Sequence, residues 1–225
     1  VCAEANPDCA VTLVERDPVP LYKLRRSGGG RGNIGIAETE VDALGEGYPR
    51  GREEMLGALT RFSTHDTIRW FSEHGIPLQE DGRGGLEPVG FDAESLSDRL
   101  LELAREAGVT VITGRSVLEA VRRREGFRLW TREGDSFDPD GILLATGGFQ
   151  GGRGYGIAQT FGHTVILPVP SILVLHTRDR RLRKLHGLDV PAAEASMPEF
   201  GLEASGGVKI EPKGLGGRAV TTLSA

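Results

Sequence analysis

Cysteine is scarce in this chain, and several other signatures are missing with it. Two cysteines, Cys2 and Cys9, in 225 residues make no disulfide framework and fit a reducing cytoplasm, where the protein is expected. No apolar run nears the roughly 20 residues that cross a bilayer, which argues against a transmembrane protein. The five histidines, His65, His74, His163, His176 and His186, lack metal-ligand spacing, so they read as surface or structural groups and no metal site is expected. No lysine follows the glycine loop at Walker spacing, and no Ser-His-Asp order stands out. Positive charge is also short. The net charge of −5 suits neither nucleic acid nor an anionic membrane, which leaves a small-molecule substrate as the expected partner.

Glycine is what the chain has in plenty: 33 residues, gathered in clusters. Apolar residues at 38% and charged residues at 26% are ordinary for a folded domain. The length allows one large domain or two small ones. Val1 to Ala5 reads as a helix end, Asn6-Pro7-Asp8 as a turn and Cys9 to Glu15 as a strand. A chain opening on a helix tail and stopping within Ala219–Ala225 is expected to be a piece truncated at both ends. Ala10 to Val14 is a continuous apolar run, the pattern of a parallel strand covered on both faces by helices.

Residues 22–35 form a basic, glycine-rich loop. Residues 51–75 carry helical periodicity through Met55, Leu59, Phe62, Ile68, Trp70 and Phe71, with an N-cap at Ser63 or Thr64 and a stop at Gly75. Trp70 and Phe71 read as helix core rather than a flavin-stacking pair. Residues 78–90 suggest a hairpin or surface loop. Asp92 to Ala107 is an amphipathic helix with Leu96, Leu100, Leu103 and Ala104 on one face, followed by a buried strand over Val109–Ile112. Residues 116–145 then read as a meander with strands at Val117–Arg122, Gly126–Arg132 and Ser136–Ala145. A helix at Tyr155–Phe161 and a strand at Thr164–Leu167 follow, and past Pro170 the chain is strand-rich. The expected fold class is α/β. Residues 1–168 are expected to be an incomplete Rossmann-type dinucleotide-binding domain whose first strand and GxGxxG loop are missing, and residues 169–225 to begin a second, mainly-β domain.

Three motifs carry chemistry. Glu15 stands at the tip of the first strand here, where a βαβ unit places a carboxylate for the adenosine ribose hydroxyls. The plain alternative is a solvated strand end. Ser27-Gly28-Gly29-Gly30-Arg31-Gly32-Asn33 lets the backbone approach a planar or anionic ligand and present N–H groups to it. Arg31 suits a pyrophosphate, and Ser27 and Asn33 suit phosphate or flavin edges. A flexible surface loop is the alternative. Ile142-Leu143-Leu144-Ala145-Thr146-Gly147-Gly148 reads as a buried strand breaking at two glycines, either beside a cofactor or at an ordinary strand-to-helix turn.

Taken in order, these motifs resemble a known group of flavoproteins. They run with Arg61-Phe62-Ser63-Thr64-His65-Asp66-Thr67, Phe71, Gly75-Ile76-Pro77-Leu78, Gly154-Tyr155 with Gly162-His163-Thr164, and Gly214-Leu215-Gly216-Gly217 before Leu223-Ser224-Ala225. The chain is similar to the aminoacetone oxidase-like flavoproteins, also described as NAD(P)/FAD-dependent oxidoreductases linked to bile-acid dehydroxylation. The resemblance implies FAD on a Rossmann domain, with NAD(P)H as a candidate electron donor. By position, Glu15 would bind the adenosine ribose. Ser27, Gly28, Gly29, Gly30, Arg31 and Asn33 would line the pyrophosphate and flavin. Val117 would offer backbone contacts to adenine, and Thr146 and Gly147 would flank the cofactor. The chain departs from the pattern at Gly32, where cysteine is usual, at Arg153 in place of an acidic residue, and at Arg218 in place of a proline. No catalytic acid or base is indicated. Two further readings stay open: an adenine-nucleotide-binding module without redox activity, and a non-functional remnant.

Overall fold

The computed structural model describes residues 1–48, 50–82, 84–148, 152–166, 168 and 174–224. They divide into two compact units, one within Val1–Gly147 and Gly151–Val165, the other within Gly148–Gln150 and Ile166–Ala225.

In the first unit a four-residue helix α1 (Cys2–Ala5) leads into strand β1 (Thr12–Val14). β1 pairs in parallel with a strand from much later in the unit, β5 (Thr110–Ile112), with Leu13 opposite Val111. Between them lie α2 (Tyr22–Arg25), β2 (Gly35–Ile36), α3 (Val41–Glu46), α4 (Arg52–Arg61), α5 (Thr64–Glu73), the hairpin β3 (Leu78–Glu80) and β4 (Gly85–Pro88), and α6 (Ala93–Glu106). β2, β4 and β3 form one antiparallel sheet.

Helices α5 and α6 start where side chains supply acceptors for unpaired amides. Ser63 caps α5 and Asp66 returns a bond to the Ser63 N–H at 2.9 Å. Asp92 accepts from the Ser95 N–H at 2.8 Å, and Ser95 Oγ accepts from the Asp92 N–H in return. Each is a capping box that satisfies two amides at once. The apolar faces of α5 and α6 then close on each other. Ile76, Leu96 and Leu103 form the buried cluster, with Trp70, Phe71, Leu78 and Leu100 packed around it. The unit continues with the meander β6 (Val117–Arg122), β7 (Phe127–Thr131) and β8 (Ser136–Phe137), and with α7 (Arg153–Thr160). Phe127 meets Phe161 edge-on at 5.2 Å, which seats the end of α7 on the meander.

The second unit is an antiparallel sheet in the order β10 (Asp189–Met197), β11 (Leu202–Glu211), β12 (Gly214–Gly216) and β9 (Leu175–His176). A short helix α8 (Arg180–Arg183) precedes β10. Helix α9 (Arg218–Ser224) buries Ala219, Val220 and Leu223 against the sheet. Glycine lets the helix come that close. A methyl on Gly206 of β11 would lie 3.2 Å from the Ala219 amide nitrogen.

The periodic stretch 51–75 is two helices, parted at Phe62 and Ser63, with the expected cap at Ser63 starting the second. Three expectations from the sequence change. β1 is not covered on both faces: Leu13 is 40% exposed, since β1 and β5 pair only with each other among the described residues. The third meander strand ends at Phe137 rather than Ala145. Residues 138–148 carry no regular structure and Leu143 is 82% exposed, because no described strand lies beside this apolar run. Residues 164–166 form no strand, and Leu167 lies outside the described residues.

Candidate functional site

The chain folds the candidate residues into two local clusters. The first lies at the carboxyl ends of the parallel strands. The Glu15 N–H donates to the Ile112 carbonyl at 2.8 Å and its carbonyl accepts from the Arg115 N–H at 2.9 Å, so the tip of β1 sits two residues from Val117, the first residue of β6. Glu15 Oε1 accepts from the Asp17 N–H at 2.9 Å, which turns the chain away from the strand. Among the described residues Oε2 has no hydrogen-bond partner. A half-buried carboxylate at this tip, with one oxygen fixed, is arranged to accept from hydroxyls.

The second cluster is the glycine loop. Gly28, Gly29, Gly30 and Gly32 all have positive φ, at 57°, 69°, 94° and 75°, a backbone that other residues adopt only at a cost. The loop is stapled from inside. The amides of Gly30 and Gly32 both donate to the Ser27 carbonyl, and Ser27 Oγ donates to the Asn33 carbonyl at 3.1 Å. The Ala93 N–H, at the start of α6, donates to the Gly30 carbonyl at 2.9 Å. The Asn33 side-chain amide lies over Gly85, where a methyl would come 2.7 Å from Nδ2, and Arg31 Nε stands 3.7 Å from Glu87. The Ser27 hydroxyl therefore holds the frame from inside, while the Arg31 side chain stays 60% exposed. What faces outward at Gly29 and Gly30 is backbone. Around Gly29 and Gly30 no heavy atom lies within 4 Å of where a β-carbon would be. Gly32 is different: it is buried, and a methyl there would lie 3.1 Å from Leu96 Cδ2 and 3.3 Å from Ala93 Cα. A cysteine at this position would meet α6.

The Thr146–Gly147 turn joins this second cluster. Gly147 has φ +72°, and a methyl on it would lie 2.7 Å from Nζ of Lys23, in the helix that leads into the glycine loop. The Thr146 side chain rests on Gly154 of α7, so closely that a β-carbon at Gly154 would overlap it. Both Thr146 and Gly147 are exposed.

Two residues of this region escaped the sequence reading. Arg25, with only 11% of its side chain exposed, pairs with Glu94 and with Asp98 at 2.8 Å, and so clamps α2 to α6. The Asp98 hydrogen bond is the main reason its pKa is pushed further up. Lys23 is the other. Neither had a distinguishing signal, since both sit among the basic residues Lys23, Arg25 and Arg26 that read as surface charge. Among the described residues no cluster of three His, Cys, Asp or Glu could hold a metal, and no helix is long and apolar enough to cross a membrane.

A model of the HI0933-like protein Rossmann domain matches residues 1–220. Among curated proteins, the chain is similar to the 3-dehydro-bile acid delta(4,6)-reductase of Clostridium scindens, at 25% identity over 99% of this chain and 55% of the relative. The chain thus spans about half the length of the curated relative it matches.

Proposed function

Because the chain belongs to the HI0933-like family through its Rossmann domain, we propose that it is the FAD-holding part of a flavin-dependent oxidoreductase. The observation that carries this reading is the glycine loop. The Ser27 hydroxyl is consumed in fixing its shape, and the loop offers open backbone at Gly29 and Gly30. Such a cradle fits a diphosphate and a flat ring, which need close approach rather than many side chains. Glu15 would take the adenosine ribose hydroxyls with its free oxygen, and the backbone near Val117 would meet the adenine. Ser27, Gly28, Gly29, Gly30, Arg31 and Asn33 would line the pyrophosphate and flavin. Thr146 and Gly147 would border the cofactor on its other side.

Bound flavin accepts a hydride or electron pair from one substrate and passes it to another. NAD(P)H as the donor, a small-molecule substrate and a cytoplasmic setting complete the proposal. Two free, exposed cysteines support that setting. The relative's name, a reductase, supports the reaction type. The bile acid in that name belongs to the relative alone, which is 25% identical and covered over 55% of its length.

The test is an absorbance spectrum of the purified protein after incubation with FAD and desalting. Retained flavin bands are expected. A colourless protein with FAD in excess would overturn the assignment.

A further inference from the structure

The basic residues around the glycine loop are nearly all spoken for. Arg25 is held by Glu94 and Asp98, and Arg31 stands by Glu87. Arg26 bonds the Tyr22 hydroxyl and lies over its ring, 5.3 Å from the centroid. Lys23 alone in this group has no carboxylate and no side-chain hydrogen bond among the described residues. Its position is nonetheless defined. The ammonium sits against Gly147, 2.7 Å from where a β-carbon would be, on the short helix that leads into the glycine loop. α2 is in turn fixed to α6 through Arg25.

A lysine needs space for three donors, and Gly147 provides that space by having no side chain. The flanking backbone is exposed. A cation beside an exposed glycine, with no carboxylate partner among the described residues, is a site for an anion from outside.

Resting on the FAD reading above, we infer that Lys23 pairs with the diphosphate of the bound dinucleotide. Lys23 binds and orients; it takes no part in electron transfer. Gly147 belongs to the same device, because a side chain there would push the ammonium away.

The experiment titrates the protein with FAD, and separately with riboflavin, which keeps the ring and lacks the phosphates, by quenching of flavin fluorescence at two salt concentrations. Lys23→Met is expected to weaken FAD about tenfold, as loss of a charge-assisted contact would. Riboflavin binding should be unchanged, and the salt dependence for FAD should flatten. Lys23→Arg should restore most of the FAD affinity, and Gly147→Ala should weaken FAD in the same selective way. Because Lys23 is exposed, an unchanged melting temperature is expected to accompany the loss. If wild type binds FAD and Lys23→Met binds it equally at both salt concentrations, the Lys23 assignment is overturned and the flavin reading stands. If wild type binds neither ligand, both fall together.

Discussion

The first unit treats similar apolar residues in opposite ways in its two halves. On the α5–α6 side, Ile76 and Leu96 are fully buried and Leu103 nearly so. On the strand side, Leu13 of β1 is 40% exposed and Leu143 is 82% exposed. The difference lies in where the covering surface comes from. An amphipathic helix and the hairpin beside it are near neighbours in sequence, so they bring their own partner. A strand apolar on both faces depends on neighbours at both edges and on both sides. Among the described residues β1 has one neighbour, β5, and residues 142–145 have none.

That contrast can be broken most directly by truncating a leucine on each side. Leu96→Ala should lower unfolding free energy by about 3 kcal/mol, the usual cost of a cavity in a closed core. Leu143→Ala should stay within about 0.5 kcal/mol, as an exposed substitution does. Urea denaturation of the two variants reads the difference, and equal effects would mean that the two halves do not differ as described. A smaller effect is expected at the seam between the loop and the closed core. Gly32→Cys puts a side chain at positive φ against Leu96 and Ala93, and should cost about 2 kcal/mol. Gly29→Ala has the same backbone strain but open space, and should cost about 1 kcal/mol. Thermal melts rank the two, and the reverse order would show that crowding by α6 is not what matters at Gly32.

The smallest effect depends on pH. The His74 ring bonds the Trp70 carbonyl and the Glu4 carboxylate, each at 2.6 Å, and stacks on the Trp70 ring at 4.1 Å. Both acceptors favour the doubly protonated ring. The Trp70 carbonyl is the larger cause, with Glu4 behind it, and they hold the His74 pKa above its ordinary value of 6.5. A raised folded-state pKa means that the contribution is complete below the ordinary histidine value and fades as pH rises through the raised one. Trp70 fluorescence, followed in a Trp130→Phe background, should therefore titrate with a midpoint above 6.5. His74→Gln should abolish that titration. A persisting transition in His74→Gln would assign it to another group.

The same contrast explains what could be read from the sequence. Helix α6 was legible to within a residue at each end, because Asp92, the leucine spacing and Gly108 are local signals. The Ser63 cap and the 78–90 hairpin were legible for the same reason. α2 and α3 were not, since four and six residues are too few to show a helical period. The exposure of residues 142–145 was misread because an apolar run states a preference for burial and does not say whether a partner is present. At the candidate site, the glycine loop was visible in the sequence. That Lys23 reaches Gly147, and that the Ala93 amide bonds the Gly30 carbonyl, depends on contacts between separated segments, which no local pattern carries.

The bond from the Ala93 amide to the Gly30 carbonyl has one more consequence. Ala93 is the first residue of α6, so its N–H has no acceptor within the helix. Any protection of that proton against exchange with solvent comes from the glycine loop. Its neighbours deeper in the helix are shielded by the helix itself. The exchange rate at Ala93 thus follows opening of the loop separately from melting of the helix, so a single natural amide reports on the order of the ligand-facing backbone.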